Sequence, residues 1–292
     1  MLLTKSLGLS LASSALGHII RSEAYDDAEL GNWCGTDDTI VSPPLLNSYR
    51  PRRKRQGQET IVVPTYFHVV TNSTRPEDGW LSDELLQAQL DVLNSDFDST
   101  GISFDLISIT RLVHEVWGDS ADESDHLAMK TDLREGDYKT LNLYFRTFVG
   151  YSGDGDPLLG SCYLPQGSVE PGTEVFNRDG CMIRHGTVPG GSMPPYNLGR
   201  TGTHEVGHWL GLHHTFRGGC EGSGDLVDDT PPQGNATRGC PQKGDEYFDT
   251  CEGGDPDPIH NHMNYSAHDC RNEFTPGQVD RMHEQWGLRQ SP

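Results

Sequence analysis

The distribution of apolar positions past residue 59 already names most of the elements. Residues 61–70 (IVVPTYFHVV) are β-branched and aromatic, which predicts a strand, with Pro64 marking an irregularity or an edge. Ser82-Asp83-Glu84 caps a helix in which Leu85, Leu86, Leu90, Leu93 and Phe97 recur at helical spacing. Residues 102–113 alternate as a second strand and 141–148 as a third, while 182–184 support only a short one. Residues 197–212 read as a helix ending near Gly211. Thr275-Pro276 opens a last helix running to about Leu288, with Thr as cap and Pro at the first helical position. Between these lie 150–160 and 218–258, both rich in Gly and Asp. The second is too long for a plain connection and must be functional or held by bridges and ions.

The start of the chain reads as targeting rather than fold. Residues 1–20 carry one Lys and then a Leu/Ala/Ser/Gly run, with small residues at Ala15-Leu16-Gly17, so a signal peptide over 1–17 is expected. A leader over 18–55 would end at Pro51-Arg52-Arg53-Lys54-Arg55, a basic stretch suited to proteolytic processing, leaving 56–292 as the main domain. The expected location is secreted and extracellular.

Charge and hydropathy remove several classes of function. The net charge is -21 and the mean hydropathy -0.59. Phosphates would be repelled, so no nucleic-acid partner is expected. Beyond the first 20 residues no apolar run approaches the roughly 18 residues of a spanning helix, so no membrane partner is expected either. A monomeric state is the expectation.

Secretion makes the seven cysteines legible, since disulfides persist in oxidising compartments. Cys162, Cys181, Cys220, Cys240, Cys251 and Cys270 follow the basic site and can form three bridges, while Cys34 precedes it. Asn72, Asn235 and Asn264 begin glycosylation sequons, of which the first two are candidate sites.

The chemistry sits in His204-Glu205-Val206-Gly207-His208-Trp209-Leu210-Gly211-Leu212-His213-His214. One helical turn puts His204 and His208 on the same face, and Glu205 beside them. Gly211 tolerates the positive φ of a sharp exit, which can return His213 or His214 as a third nitrogen. Three protein ligands leave one position open, the arrangement of a catalytic zinc site.

This extended motif resembles that of the metzincin zinc proteases, whose other mark is a methionine turn under the metal. His262-Met263-Asn264-Tyr265 supplies it here, and with GDLVDDTPPQ the likeness narrows to the pappalysin family and its secreted fungal extracellular metalloproteases. The resemblance implies an α+β metzincin fold: a twisted mixed sheet packed on helices, then an irregular disulfide-linked part ending in a helix. It implies one Zn²⁺ per chain on His204, His208 and His214, choosing between the two candidate histidines, with Met263 beneath them. It implies that Tyr265 hydrogen-bonds the tetrahedral intermediate, against the alternative of a buried core tyrosine. Asp225 and Thr230 resemble a Ca²⁺ segment, the other reading being a solvated acidic loop. The family pairing implies Cys220–Cys251 and Cys240–Cys270, which leaves Cys162 to Cys181.

The expected function is that of a zinc-dependent endopeptidase, hydrolysing peptide bonds through a zinc-bound water with Glu205 as general base. The substrate would lie antiparallel to an edge strand around 182–184. Two rivals are a zinc-binding module without chemistry, against which Glu205 speaks, and a zinc hydrolase for other bonds. Cys34 is a candidate latency thiol on the fourth zinc position, its alternatives being a free thiol or a bridge.

Overall fold

The computed structural model describes residues 33–37 and 60–290, so the expected signal peptide and the basic site at 52–55 lie outside the described residues. A mixed five-stranded sheet, ordered β2-β1-β3-β5-β4, organises the molecule. Its strands are β1 (Ile61–Thr71), β2 (Ile102–Val113), β3 (Leu141–Arg146), β4 (Gly160–Ser161) and β5 (Cys181–Arg184). All pairings are parallel except that of β4 with β5. The helices are α1 (Asp83–Phe97), α2 (Glu115–Asp119), α3 (Glu123–Leu133), α4 (Glu174–Arg178), α5 (Arg200–Trp209) and α6 (Pro276–Gln290).

One face of the sheet carries the main core. Val63, Phe67 and Val69 of β1 pack with Leu86, Leu90, Leu93 and Phe97 of α1, then with Val206 and Trp209 of α5 and Met282 and Trp286 of α6. The other face carries a smaller cluster of Val70, Tyr144 and Met182 against Met129 of α3. This explains why β1 alternates only in its first half: the second half is covered on both sides.

Pro64 makes an irregularity but no edge. β1 lies between β2 and β3, and its register with β2 slips between Thr65 and Tyr66. Pairing with β3 begins only at Thr65, so a residue without an N–H is tolerated one position earlier. The expected caps hold, for Ser82 Oγ accepts from Leu85 N at 3.4 Å and Thr275 Oγ1 from Gln278 N at 3.1 Å.

The expected edge at 182–184 is corrected. β5 is flanked on one side by β3 and on the other by β4, which the Cys162–Cys181 bridge ties to it. The open edge is therefore β4. The helix expected over 197–212 is shorter, starting at Arg200 behind Gly199, whose φ of 83° bends the chain, and ending at Trp209. The strand expected over 141–148 ends at Arg146.

The bridges are Cys162–Cys181, Cys220–Cys251 and Cys240–Cys270, the pairing the resemblance implied. Two of them hold the long irregular segment where no apolar core could. The last helix is pinned at both ends. Asp229 accepts from Thr275 Oγ1 and Gly277 N at 2.7 and 2.8 Å, where a helix N-terminus favours an anion. Arg289 makes a two-pronged ion pair with buried Asp179 and donates to Trp209 O at 3.0 Å.

Candidate active site

α5 is buried on every side from Thr201 to Trp209, because glycines let its neighbours approach closely. A Cβ on Gly207 would collide with the Met263 sulfur, and one on Gly202 would lie 2.7 Å from Gln89 Nε2 of α1. The methionine turn thus seats directly against the helix that carries the histidines.

His204 and His208 project from one face of α5, their Nε2 atoms 3.2 Å apart, and His214 Nε2 comes within 3.1 Å of His208 Nε2. The chain gets there through Gly211, whose φ is 95°. His213 is also buried but contributes no atom to this cluster. Each ring of the first pair is oriented from behind: His204 Nδ1 lies 2.8 Å from His262 O, and His208 Nδ1 2.8 Å from Leu212 O. A proton held at Nδ1 by a carbonyl leaves Nε2 as a lone-pair donor. Burial first, and the neighbouring imidazoles second, push the His204 pKa well down, which favours the same neutral form.

The fourth corner belongs to Cys34. Cys34 Sγ is 3.5 Å from His208 Nε2 and 3.6 Å from Glu205 Oε2, and the four donor atoms of Cys34, His204, His208 and His214 lie within 4.8 Å of one another. A tetrahedral Zn²⁺ with bonds of about 2.0 Å to nitrogen and 2.3 Å to sulfur spaces nitrogens about 3.3 Å apart and sulfur from nitrogen about 3.5 Å. The separations of 3.1, 3.2 and 3.5 Å about His208 Nε2 fit that ion.

Residues 33–37 reach this corner through an isolated parallel bridge to β4. Cys34 bridges Gly160 of β4 in parallel, Gly35 N donates to Gly160 O at 2.9 Å, and Leu159 N to Trp33 O at 2.7 Å. Thr36 Oγ1 stands 3.3 Å from Glu205 Oε2. Glu205 itself is fully buried, and a Cβ on Gly160 would come within 2.5 Å of its Oε1, so only glycine leaves room for the carboxylate there. Burial, then the charge of Glu205, push the Cys34 thiol well up, a preference that a cation bound in the cluster would reverse.

Met263 is fully buried, its sulfur packed on α5 at Gly207. Its turn is clamped by Arg271, whose Nη1 donates to His262 O and Asn264 O at 3.3 and 3.2 Å. Tyr265 brings its ring centroid 5.0 Å from that of His214 and 5.7 Å from that of His204. Asp225 and Thr230 lie outside the cluster, on the segment leading to α6. Asp225 is buried, its Oδ1 accepts from Val227 N at 3.1 Å, and burial pushes its carboxyl up to about 7. Asn235 is exposed, Asn72 half-buried and Asn264 fully buried.

Trp33, Thr36, Gly160, Gly207 and Arg271 are the site residues that motif reading passed over. Only the glycine at the second free position of the histidine motif and the tryptophan beside Cys34 carried a signal in the sequence.

Comparison with known proteins agrees with this geometry. Residues 193–286 match the Peptidase_M43 family model, described as Pregnancy-associated plasma protein-A. Extracellular metalloprotease 1 of Coccidioides posadasii is 47% identical over 229 residues, covering 78% of this chain and 78% of its own length. An extracellular metalloprotease of Verticillium alfalfae is 42% identical over 296 residues, covering 98% of each. Among solved structures, mirolysin in complex with compound 9 superposes with a TM-score of 0.64 at 31% identity, over 80% of this chain and 96% of that one. Relatives that are this similar over this much of their length, together with a histidine cluster built as a metal centre, establish that the chain belongs to the M43, or pappalysin, family of metalloproteases.

Proposed function

We propose that the chain is a secreted zinc endopeptidase, made with a signal peptide (1–17) and a leader (18–55), whose domain over 56–292 hydrolyses peptide bonds in proteins. The observation that carries the reading is the convergence of three imidazole Nε2 atoms, two pairs of them 3.1 and 3.2 Å apart, beside a buried carboxylate that is not one of the ligands. His204, His208 and His214 would hold one Zn²⁺. When bound, the ion supplies Lewis acidity, which polarises a carbonyl and brings the pKa of water toward about 7.

The remaining work falls to the chain. Glu205 takes a proton from the attacking water and passes it to the leaving amine. Tyr265, held against His214, stabilises the negative charge that develops on the scissile carbonyl oxygen. The substrate lies along β4, antiparallel to it, on the edge where the leader pairs. Cys34 would be a fourth ligand for the ion before processing, and its side chain, packed between His208 and Glu205, would exclude water and keep the precursor silent. A Ca²⁺ held by Asp225 and Thr230 would supply the counter-charge that a buried carboxyl calls for. The relatives' description as extracellular, together with the disulfides, supports secretion.

Casein digestion with and without a zinc chelator tests the reading, alongside Glu205→Gln. Digestion that the chelator stops, and a Glu205→Gln protein that keeps about one zinc per chain but loses about a hundredfold or more in rate, are the expected results. Loss of the zinc in that variant, or activity within a few-fold of the parent, would refute the role of Glu205. No digestion by the processed protein would leave a binding module or a hydrolase for other bonds.

A further inference from the structure

The pocket that Trp33 fills has aromatic walls and a cationic floor. The indole is fully buried, its ring centroid 4.3 Å from that of Tyr265, 4.8 Å from His204 and 5.9 Å from Tyr196. The Arg271 guanidinium carbon stands 5.1 Å from it. Arg271 is fully buried, and beyond the two carbonyls served by Nη1, its Nε and Nη2 meet no hydrogen-bond partner among the described residues. The indole Nε1 meets none either. Ring contact and the cation beside the ring therefore hold Trp33, without help from the indole N–H, and any flat aromatic side chain would satisfy the same walls.

The polarity of the leader says which substrate residue would enter. Trp33 precedes Cys34, which sits at the metal cluster, and this segment runs parallel to β4. A chain antiparallel to β4 reverses that order. Its residue on the C-terminal side of the scissile bond would fall where Trp33 now lies.

Resting on the peptidase reading above, we infer that this pocket selects an aromatic side chain immediately after the scissile bond, with Arg271 as its specificity-determining residue. A basic side chain would face the buried guanidinium charge. An acidic one would pair with the unpartnered Nε and Nη2 of Arg271 only by surrendering its hydration between Tyr265 and Tyr196, in a pocket shaped for a ring, which makes Glu the competitor that the test must include.

The processed enzyme is given peptides identical except for Phe, Leu, Glu or Lys at that position, with cleavage sites read by mass spectrometry. Phe should exceed Glu and Lys by about tenfold or more in kcat/KM and Leu by a smaller factor. Arg271→Met should erase the margin of Phe over Leu. Because Arg271 also clamps the methionine turn, a second measurement uses the unaltered enzyme. A peptide of residues 33–37 carrying Cys34→Ser is titrated calorimetrically beside its Trp33→Phe, Trp33→Ala and Trp33→Lys forms. Retention of binding by the Phe form, with about tenfold weakening in the other two, is expected. Cleavage preferring Lys or Glu, an aromatic preference on the other side of the bond, or equal binding of all forms overturns the pocket assignment while casein digestion leaves the peptidase reading standing. Binding that follows the expected order without any hydrolysis would do the reverse.

Discussion

Gly211→Ala is the substitution whose cost the structure specifies most fully. Gly211 has a φ of 95°, and an added Cβ would lie 2.5 Å from Cγ and 2.6 Å from Cβ of Gln285 on α6. The second of these atoms is bonded to the α6 backbone, so turning the glutamine side chain gives no relief and the helix must shift. Two hydrogen bonds oppose that shift, from Arg281 Nε to Gly211 O at 2.7 Å and from Arg289 Nε to Trp209 O at 3.0 Å. Left-handed backbone in a non-glycine residue costs about 1–2 kcal/mol, and overpacking about 1–3 kcal/mol. Together that is about 2–5 kcal/mol, and for a domain of this size the melting temperature should fall by roughly 10 °C. The same corner presents Leu212 O to His208 Nδ1, so zinc should also leave more readily to a mild chelator. Scanning calorimetry of the processed enzyme and metal analysis after dialysis measure both effects. Gly207→Ala is the comparison: its backbone is helical and its Cβ meets the flexible end of Met263, so its loss should be the smaller. A Gly211→Ala protein melting within about 2 °C of the parent with its metal retained would refute the argument.

Three further outcomes are expected. Calcium should raise the melting temperature of the processed enzyme by mass action, and Asp225→Ala should abolish that response; an unchanged response disposes of the site. A precursor with the basic site blocked should be inactive, and Cys34→Ser in that background should digest casein without processing; continued silence sinks the thiol switch. Lys130 is fully buried, its Nζ donating to Arg178 O and Gly180 O at 2.8 Å each, and burial lowers its pKa from 10.5 to about 7. The unfolded chain therefore binds more protons between about pH 7 and 10.5, so the burden of burying this lysine lightens as pH rises through that window. Against Lys130→Met, the parent's melting temperature should gain between pH 7 and 10; parallel curves would show the shift to be absent.

Local pattern and motif chemistry carried a large part of this protein. β1 was legible from its β-branched and aromatic run, and β2, α1 and α6 because each buries one face and exposes the other, or announces its start with a cap. The histidine motif needed helical periodicity and one permissive glycine, with the family resemblance choosing His214 over His213. α3 was not legible, since its buried stripe is His126, Met129 and Lys130, two of them polar, His126 facing Ser120 O and the Glu123 carboxylate and Lys130 donating to carbonyls some fifty positions away. α5 showed its motif but not its limits, because a helix buried all round has no polar face to mark where it begins.

What the sequence determined by itself was the pattern whose parts are close in the chain: two histidines and a glutamate within one turn, further histidines beyond a glycine, a methionine turn of recognisable spelling. What only the tertiary structure decided was everything assembled across long separations. It placed β4 outside β5, so that the free edge moved from 182–184 to 160–161. It reserved Gly160 for the Glu205 carboxylate and Gly207 for the Met263 sulfur. It set Cys34 at a distance of 3.5 Å from a histidine 174 positions away, and Trp33 over Arg271. Such contacts depend on side-chain volume and chain path rather than on spacing, and no periodicity along the chain records which distant residue will fill a given space.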